Sequence, residues 1–541
     1  MNKKWWHDKI IYQIYPSSFK DSNNDGIGDI PGIFSKLDYL KELGVDILWL
    51  TPFFKSPMVD NGYDVADYCD INPIFGTMED MDLLIEESKK RDMYIMIDIV
   101  ANHTSNEHPW FKEALKGEDN PYYDYYIFKD HPVNEHHRSC FGGPAWTYVP
   151  HLNKYYFHEF ASEQPDLNWN NPKVRQEMAN AINFWMEKGI KGIRFDVIHM
   201  IGKEIDNDIY GYGPTLHERV RELNHNSFGK YDIVTVGEAW GGIQDAKDFA
   251  LEEREELNMT FQFEVTSSTN DHSRCGKFTP KPIDTLFAKN TLSKYQYALN
   301  DCSWNTLVVE NHDLGRCINR FGDENYREVS SKGIALMNYC LKGTPYIYQG
   351  QEIGMTNIKM NGLEEYRDVE VFNSYKDLVE ERKVLTKEEF LEGCYKEARD
   401  NNRTPIQWDD SVNAGFNEGH ETWIKVNPNY LDINVKNQQG DPNSILSFYK
   451  ELLRIRKHSE YSNTLVYGKF ESYLDENKDV FVYTREEDKK LCVISNMTNK
   501  VVEIDSPFNV NKVILSNYKK ELNSRHLVLE PFETILFEVV E

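Results

Sequence analysis

Residues 192–197 read Gly192-Ile193-Arg194-Phe195-Asp196-Val197, an apolar run interrupted by one arginine and closed by one aspartate. Side chains alternate along a strand, so Arg194 and Asp196 share a face. Neighbouring runs repeat the pattern of an apolar strand with polar residues at its C-terminal end. Residues 94–100 carry Asp98 and lead into Asn102-His103, 233–238 end at Glu238 with Trp240 two residues on, and 305–310 lead into Asn311-His312-Asp313. Further runs lie at 10–14, 46–50, 259–263 and 344–348. Helical spacing separates them: Ile33, Leu37, Leu40 and Leu43 after the first, then Thr77 and Asp80 as a cap before Met81, Leu84 and Ile85, then helices at 172–188, 216–226 and 331–341. Such alternation predicts βα units and a parallel sheet. Eight units before residue 350 predict an α/β fold, a (β/α)8 barrel with functional residues at the C-terminal ends of its strands.

The alternation lapses between Asn102 and Asp166, a stretch rich in His, Tyr, Gly, Pro and Asn. A structureless loop of that length inside a compact domain is unusual, so 104–166 is expected to form a small inserted domain. After a helix at 444–456, only strand-like runs remain, including 480–483, 491–495 and 513–515. The expected organisation is a catalytic barrel from 1–103 and 167–465, the insert at 104–166, and a C-terminal antiparallel β-sandwich at 466–541.

A formal charge of −27 opposes nucleic acid, anionic membranes and polyanionic substrates, whereas a small neutral oligosaccharide would feel little of it. No segment approaches the roughly 20 apolar residues of a membrane span, and the N-terminus has no uninterrupted apolar stretch of the secretory kind. The expectation is a cytoplasmic protein, a monomer or weak oligomer. Its 8 cysteines contain no Cys-x-x-Cys pair, which argues against a zinc site or disulfide framework and for mostly buried thiols.

Asp196, Glu238 and Asp313 should converge on one mouth. Glycoside hydrolysis needs a proton donor and a nucleophile, both carboxyls, about 5–5.5 Å apart in retaining enzymes. A guanidinium beside Asp196 should favour its ionised form, leaving Glu238 the higher pKa and the acid role. The chain resembles the α-amylase superfamily, glycoside hydrolase family thirteen, in its oligo-1,6-glucosidase and dextran glucosidase branch. The motifs carrying the resemblance run almost end to end: Asn61-Gly62-Tyr63-Asp64, the segment from Asp98 to His103, Gly192 to Asp196, Val236 to Ala239, Glu310 to Asp313, Gly343 to Met355, Gln164 to Trp169 and Arg399 to Pro405. The resemblance implies Asp196 as nucleophile, Glu238 as acid/base and Asp313 as the third, stabilising carboxylate. It places Asp60, Tyr63, His103, Gln164, Arg194, His312 and Arg403 around a terminal glucose.

Asp21-Ser22-Asn23-Asn24-Asp25-Gly26-Ile27-Gly28-Asp29 sets oxygen donors at alternate positions around a turn glycine, as hard cations require, although Gly32 stands where an EF-hand has its last acid. The resemblance implies a structural calcium held by Asp21, Asn23, Asp25, Asp29 and the Ile27 carbonyl, with magnesium as the alternative ion. No organic cofactor is implied.

Val197 after the nucleophile resembles enzymes that cleave α-1,6 links, and Trp240 offers an aromatic face for the leaving sugar. The implied activity is exo-acting hydrolysis of isomalto-oligosaccharides or dextran with retention. Trehalose-6-phosphate hydrolases share that valine but need a basic leaving-group pocket. An α-1,4-glucosidase, a sugar-transferring enzyme and a carbohydrate-binding pseudoenzyme are the other readings, and the presence of all three carboxylates counts against the last. Transporter heavy chains of this fold need a membrane anchor. Departures from the family pattern fall at His136-His137-Arg138 and Gly315, both in loops expected near the mouth.

Overall fold

In a computed structural model, the protein is described over residues 3–510, 512–520 and 524–539. Eight strands form one sheet: β1 (Ile11–Ile14), β2 (Ile47–Leu50), β3 (Tyr94–Val100), β4 (Gly192–Asp196), β5 (Val234–Gly237), β6 (Met259–Thr260), β7 (Thr306–Leu307) and β8 (Thr344–Tyr348). Their order is β6-β5-β4-β3-β2-β1-β8-β7, every pairing parallel, so the sheet curls into the expected barrel. Between β6 and β7 no ladder forms among the described residues; the Thr306 hydroxyl donates to the Thr260 carbonyl at 3.0 Å and spans the seam. Both strands are shorter than their apolar runs predict.

Alternation sorts the side chains. Ile11, Ile47, Trp49, Met96, Val234, Val236 and Met259 pack in one cluster with Phe261 and Tyr346, filling the barrel. Ile10, Tyr12, Leu48, Ile95, Ile97, Ile193 and Phe195 pack in the larger cluster with the surrounding helices. On β3 and β4 the barrel-facing positions are therefore those of Met96, Asp98, Arg194 and Asp196. Alternation puts residue 192 on that face too, and it is glycine because Met96 fills the space: a Cβ there would lie 2.9 Å from the Met96 side chain.

The first predicted helix breaks into Ile30–Phe34 and Leu37–Leu43. The Thr77–Asp80 capping box forms as read. Two helices outside the sequence reading, Ile243–Ala250 and Thr285–Leu299, complete the βα alternation. The second hid its period because polar residues are buried along it; the Lys289 ammonium donates to the carbonyls of Leu474 and Val480, in the C-terminal region. The stretch after β8 carries helices Val369–Tyr375, Lys387–Glu397 and Asp400–Arg403. Of the cysteines, all free, Cys317, Cys340, Cys394 and Cys492 are buried, while Cys69, Cys140 and Cys302 are exposed, so burial of most of them does not hold.

The segment between β3 and β4 folds around a three-stranded antiparallel sheet of Phe128–Lys129, Trp146–Val149 and Lys154–Phe157. Its return to the barrel is clamped. Asp166 accepts from the Asn102 amide at 3.0 Å and pairs with the Lys203 ammonium at 2.6 Å, all three buried. Beyond the barrel, Lys469–Tyr473, Val480–Glu486, Lys490–Asn496, Thr534–Glu538 and Lys512–Ser516 form an antiparallel sheet, and Val502–Asp505 pairs with His526–Leu529. Ile504, Leu527 and Leu529 of the pair pack on Val480, Val482 and Phe537 of the sheet.

Arg485 fastens this unit to the barrel, beside a second buried arginine, Arg456, of the barrel's own helix Ile445–His458. Arg485 donates to the carbonyls of Cys340, Leu465 and Gly468, and Arg456 to those of Tyr339, Leu341 and Gly343. Several of these carbonyls end the helix Arg327–Tyr339, where unpaired C=O groups attract cations. Replacing Arg485 by Met strands buried carbonyls, so R485M should lose about 2–3 kcal/mol, read as a lower thermal midpoint with KM unchanged.

Candidate active site

Arg194 organises the mouth of the barrel. Nη1 donates to Asp98 Oδ1 and to Asp196 Oδ1, each at 2.7 Å, and Nη2 donates to Glu238 Oε2. Register explains this: Asp98 lies across the ladder from Arg194, and Glu238 follows directly on β5. Glu238 Oε1 accepts from the Trp240 indole N–H at 2.8 Å, and that ring stacks on Phe263 at 4.4 Å with half its surface exposed.

The expectation that Arg194 singles out Asp196 and lowers its pKa does not hold. One guanidinium serves three carboxylates, and burial, with the charges of Glu238 and Asp98, pushes the Asp196 carboxyl well above its ordinary range despite Arg194. Burial likewise pushes Asp98 up, to about 6, against the same guanidinium.

Asp313 follows a second network. Its carboxylate meets Arg403 Nη2 at 3.1 Å, Arg399 Nη1 at 3.4 Å and His312 Nε2 at 3.0 Å. Burial alone would raise it, but His312 and the two arginines together hold it well below the usual carboxylate range. Gln13 donates its amide to His312 Nδ1 at 2.7 Å, leaving Nε2 as the protonated nitrogen, 2.6 Å from the Tyr63 hydroxyl. Tyr63 in turn donates to Asp98 at 3.0 Å, so the two networks join. Burial lowers His312 to about 3 and His103 to about 4, and both rings are neutral at ordinary pH. Asp60 accepts from Gln164 and Arg399, each at 3.1 Å; burial pushes it to about 7 although Arg399 and Arg403 oppose this.

A cavity of about 420 Å³ opens among these groups, lined by Asp60, Tyr63, His103, Asp196, Val197, Glu238, Trp240, His312 and Asp313. Gln164, Arg194 and Arg403, expected at the sugar, have relative exposures of 0, 1 and 0 % and lie behind the lining, holding its carboxylates. Val197 is not an ordinary strand end: its φ of 32° is left-handed, a conformation β-branched residues seldom adopt, and it turns the chain sharply after Asp196.

Several groups escaped the sequence. Arg399 joins Asp60, Asp313, Asp368 and Glu370, and its guanidinium lies 4.6 Å over the Phe141 ring. Its four-residue spacing from Arg403 was the available signal, since one turn places both on a helix face. Lys277, paired with Glu370, together with Cys140, Phe141 and Phe160, completes the lining from distant segments that carry no local mark.

In the loop at 21–29 the oxygens serve the backbone. Asp21 accepts from the N–H of Asn24 and Gly26, Asp25 from Ile27, and Asn23 from Asp25. Asp29 takes the Gly32 N–H as the N-cap of Ile30–Phe34 and both donors of Ser22. The aspartate two residues before Pro31 was the sequence sign of that cap. Among the described residues no three acidic, His or Cys side chains are arranged to hold a metal ion. The donors are nonetheless hard oxygens, and burial with the nearby Asp21 charge raises the Asp29 carboxyl, the condition a hard cation relieves.

Residues 13–468 match the alpha-amylase family, in its catalytic domain. The chain belongs to that family, which accounts for a barrel with acidic residues at its mouth. It is 44% identical to an oligo-1,6-glucosidase of Bacillus cereus, with 100% of both chains covered. To a glucan 1,6-alpha-glucosidase of Streptococcus pneumoniae serotype 4 it is likewise 44% identical, again over 100% of both. The solved isomaltulose synthase of Erwinia rhapontici NX5 superposes with a TM-score of 0.95 at 39% identity, covering 100% of each chain.

The raised pKa of Asp60 has a consequence for stability. Its carboxyl ionises near 3.8 when unfolded but near 7 when folded, so its contribution to stability is lost as pH rises from about 4 to 7. Asp60→Asn should flatten the decline in thermal midpoint between pH 5 and pH 8, in parallel melts of the two proteins.

Proposed function

We propose that the chain is a retaining, exo-acting α-glucosidase that hydrolyses α-1,6 links at non-reducing ends of isomalto-oligosaccharides. The observation that carries this reading is Asp196 and Glu238 held by one guanidinium fork at the lip of a cavity whose far residues, Asp60, Tyr63, His103 and His312, are all buried. Such a fork suits the short carboxyl spacing, about 5–5.5 Å, of retaining chemistry. With Oδ1 on Arg194, Asp196 presents Oδ2 to the anomeric carbon. The C1–O bond breaks as the Asp196–C1 bond forms, and Glu238 gives its proton to the departing oxygen. Water then attacks C1, Glu238 recovers a proton from it, and Asp196 leaves. A cluster of three buried carboxylates sharing one cation retains a proton, available for the departing oxygen. Asp313, kept ionised by its two arginines, steadies the positive charge that develops on the sugar.

The α-1,6 preference rests on Val197, Trp240 and the names of the relatives. Against a phosphorylated substrate stands the lining itself: acidic Asp60, Asp196, Glu238, Asp313, Glu370 and Glu397 outnumber Lys277 and Arg399, and both cations are already paired. Among the described residues no helix is long and apolar enough to cross a membrane, and we place the enzyme in the cytoplasm. We also assign a structural calcium to Asp21, Asn23, Asp25, Asp29 and the Ile27 carbonyl, which would tie the first βα connection together.

Glucose release from isomaltose, isomaltotriose, maltose and trehalose-6-phosphate, compared at equal concentration, tests the specificity; the isomalto-sugars should lead, and a lead for either other sugar overturns the linkage. Asp196→Asn should lose about 10⁴-fold or more in kcat. Full turnover in that variant would falsify the mechanism. Removing divalent ions with a chelator should lower the thermal midpoint by several degrees, with calcium restoring it; an unchanged midpoint removes the ion from the loop.

A further inference from the structure

The segment His136-His137-Arg138 lies on a loop that ends in two lining residues of the cavity, Cys140 and Phe141. The His137 ring lies flat on Tyr210, centroids 3.4 Å apart and planes within 2°, and its Nε2 is 2.9 Å from Glu159 Oε2. Glu159 is buried, and its main-chain oxygen accepts from the Cys140 N–H at 2.7 Å while Oε1 meets the Cys140 thiol at 3.4 Å. One residue further, Phe141 packs on Phe160 at 5.3 Å and beneath the Arg399 guanidinium. His137 thus ties Tyr210, on the connection following β4, through Glu159 to the cavity wall. Two more links hold the same loop from outside: Asn134 to Asp208 at 3.1 Å and Arg138 to Asp377.

We propose that His137 is a positioning residue: it fixes the wall formed by Cys140 and Phe141, and so limits the length of saccharide that the pocket accepts. This rests on the glucosidase reading above but not on the linkage. His137 touches none of the carboxylates Asp196, Glu238 and Asp313, so its loss acts on binding. A relaxed wall weakens the grip on the short substrate and admits the longer one.

Two variants separate the contacts. His137→Ala removes both stack and hydrogen bond; His137→Phe keeps a ring on Tyr210 and loses only the bond to Glu159. KM and kcat are measured for isomaltose, isomaltotriose and p-nitrophenyl α-glucoside, with a thermal melt of each protein. H137A should raise KM for isomaltose and for the aryl glucoside about five- to tenfold with kcat within about twofold, and should shift the kcat/KM ratio toward isomaltotriose. H137F should fall between H137A and the unaltered protein, and it carries the test if H137A does not fold. Unchanged KM for all three substrates, or an equal fall in kcat with no change in their ratio, overturns the proposal. If the unaltered enzyme prefers maltose, the linkage reading fails, and maltose and maltotriose replace the isomalto-sugars; the aryl glucoside still reports on the wall.

Discussion

A single buried guanidinium holds the reacting end of this barrel together. Arg194 cannot neutralise Asp98, Asp196 and Glu238 at once, and the shortfall is what keeps a proton in the cluster. Removing a partner from so dry a network leaves uncompensated charge, so its members stand or fall together. The strand alternation that points Arg194 and Asp196 inward also points Asp98 and Val236 inward. The electrostatics therefore follow from the register of three neighbouring strands.

A second network, built on Arg399 and Arg403, repeats the principle with the opposite result. There two cations face Asp313, and the carboxyl stays ionised. Tyr63 and His312 join the two networks by hydrogen bonds between neutral groups, so the sites communicate by position without pooling their charge. One rim thus carries a cluster that holds a proton and a separate carboxylate that holds none, set apart by the number of cations each one faces.

Much of this was legible in the chain. The eight apolar runs gave their strands, and the acids at their ends gave Asp196, Glu238 and Asp313, because period and position are local properties. Arg399, Lys277, Cys140 and Phe141 were not legible, since nothing within a few residues shows that distant segments meet at the mouth. The helix 285–299 was missed for a related reason: its buried polar side chains satisfy carbonyls in the C-terminal unit, a compensation invisible in one dimension. Asp29 shows the reverse case, a residue read for its charge whose local task is to begin a helix. Asp196 was read correctly in place and wrongly in pKa, because burial outweighed the cation beside it.

The clamp of Asp166 by Asn102 and Lys203 fixes the insert where it rejoins the barrel. What lies between its ends is thereby uncoupled from the register of β3 and β4: residues there can be exchanged, added or lost with little strain passed to the strands that hold the carboxylates. Such an arrangement separates inheritance of the chemistry from inheritance of the appetite. A lineage carrying this barrel can take up new sugars by rewriting one excursion of the chain, while the proton-holding cluster is handed down intact.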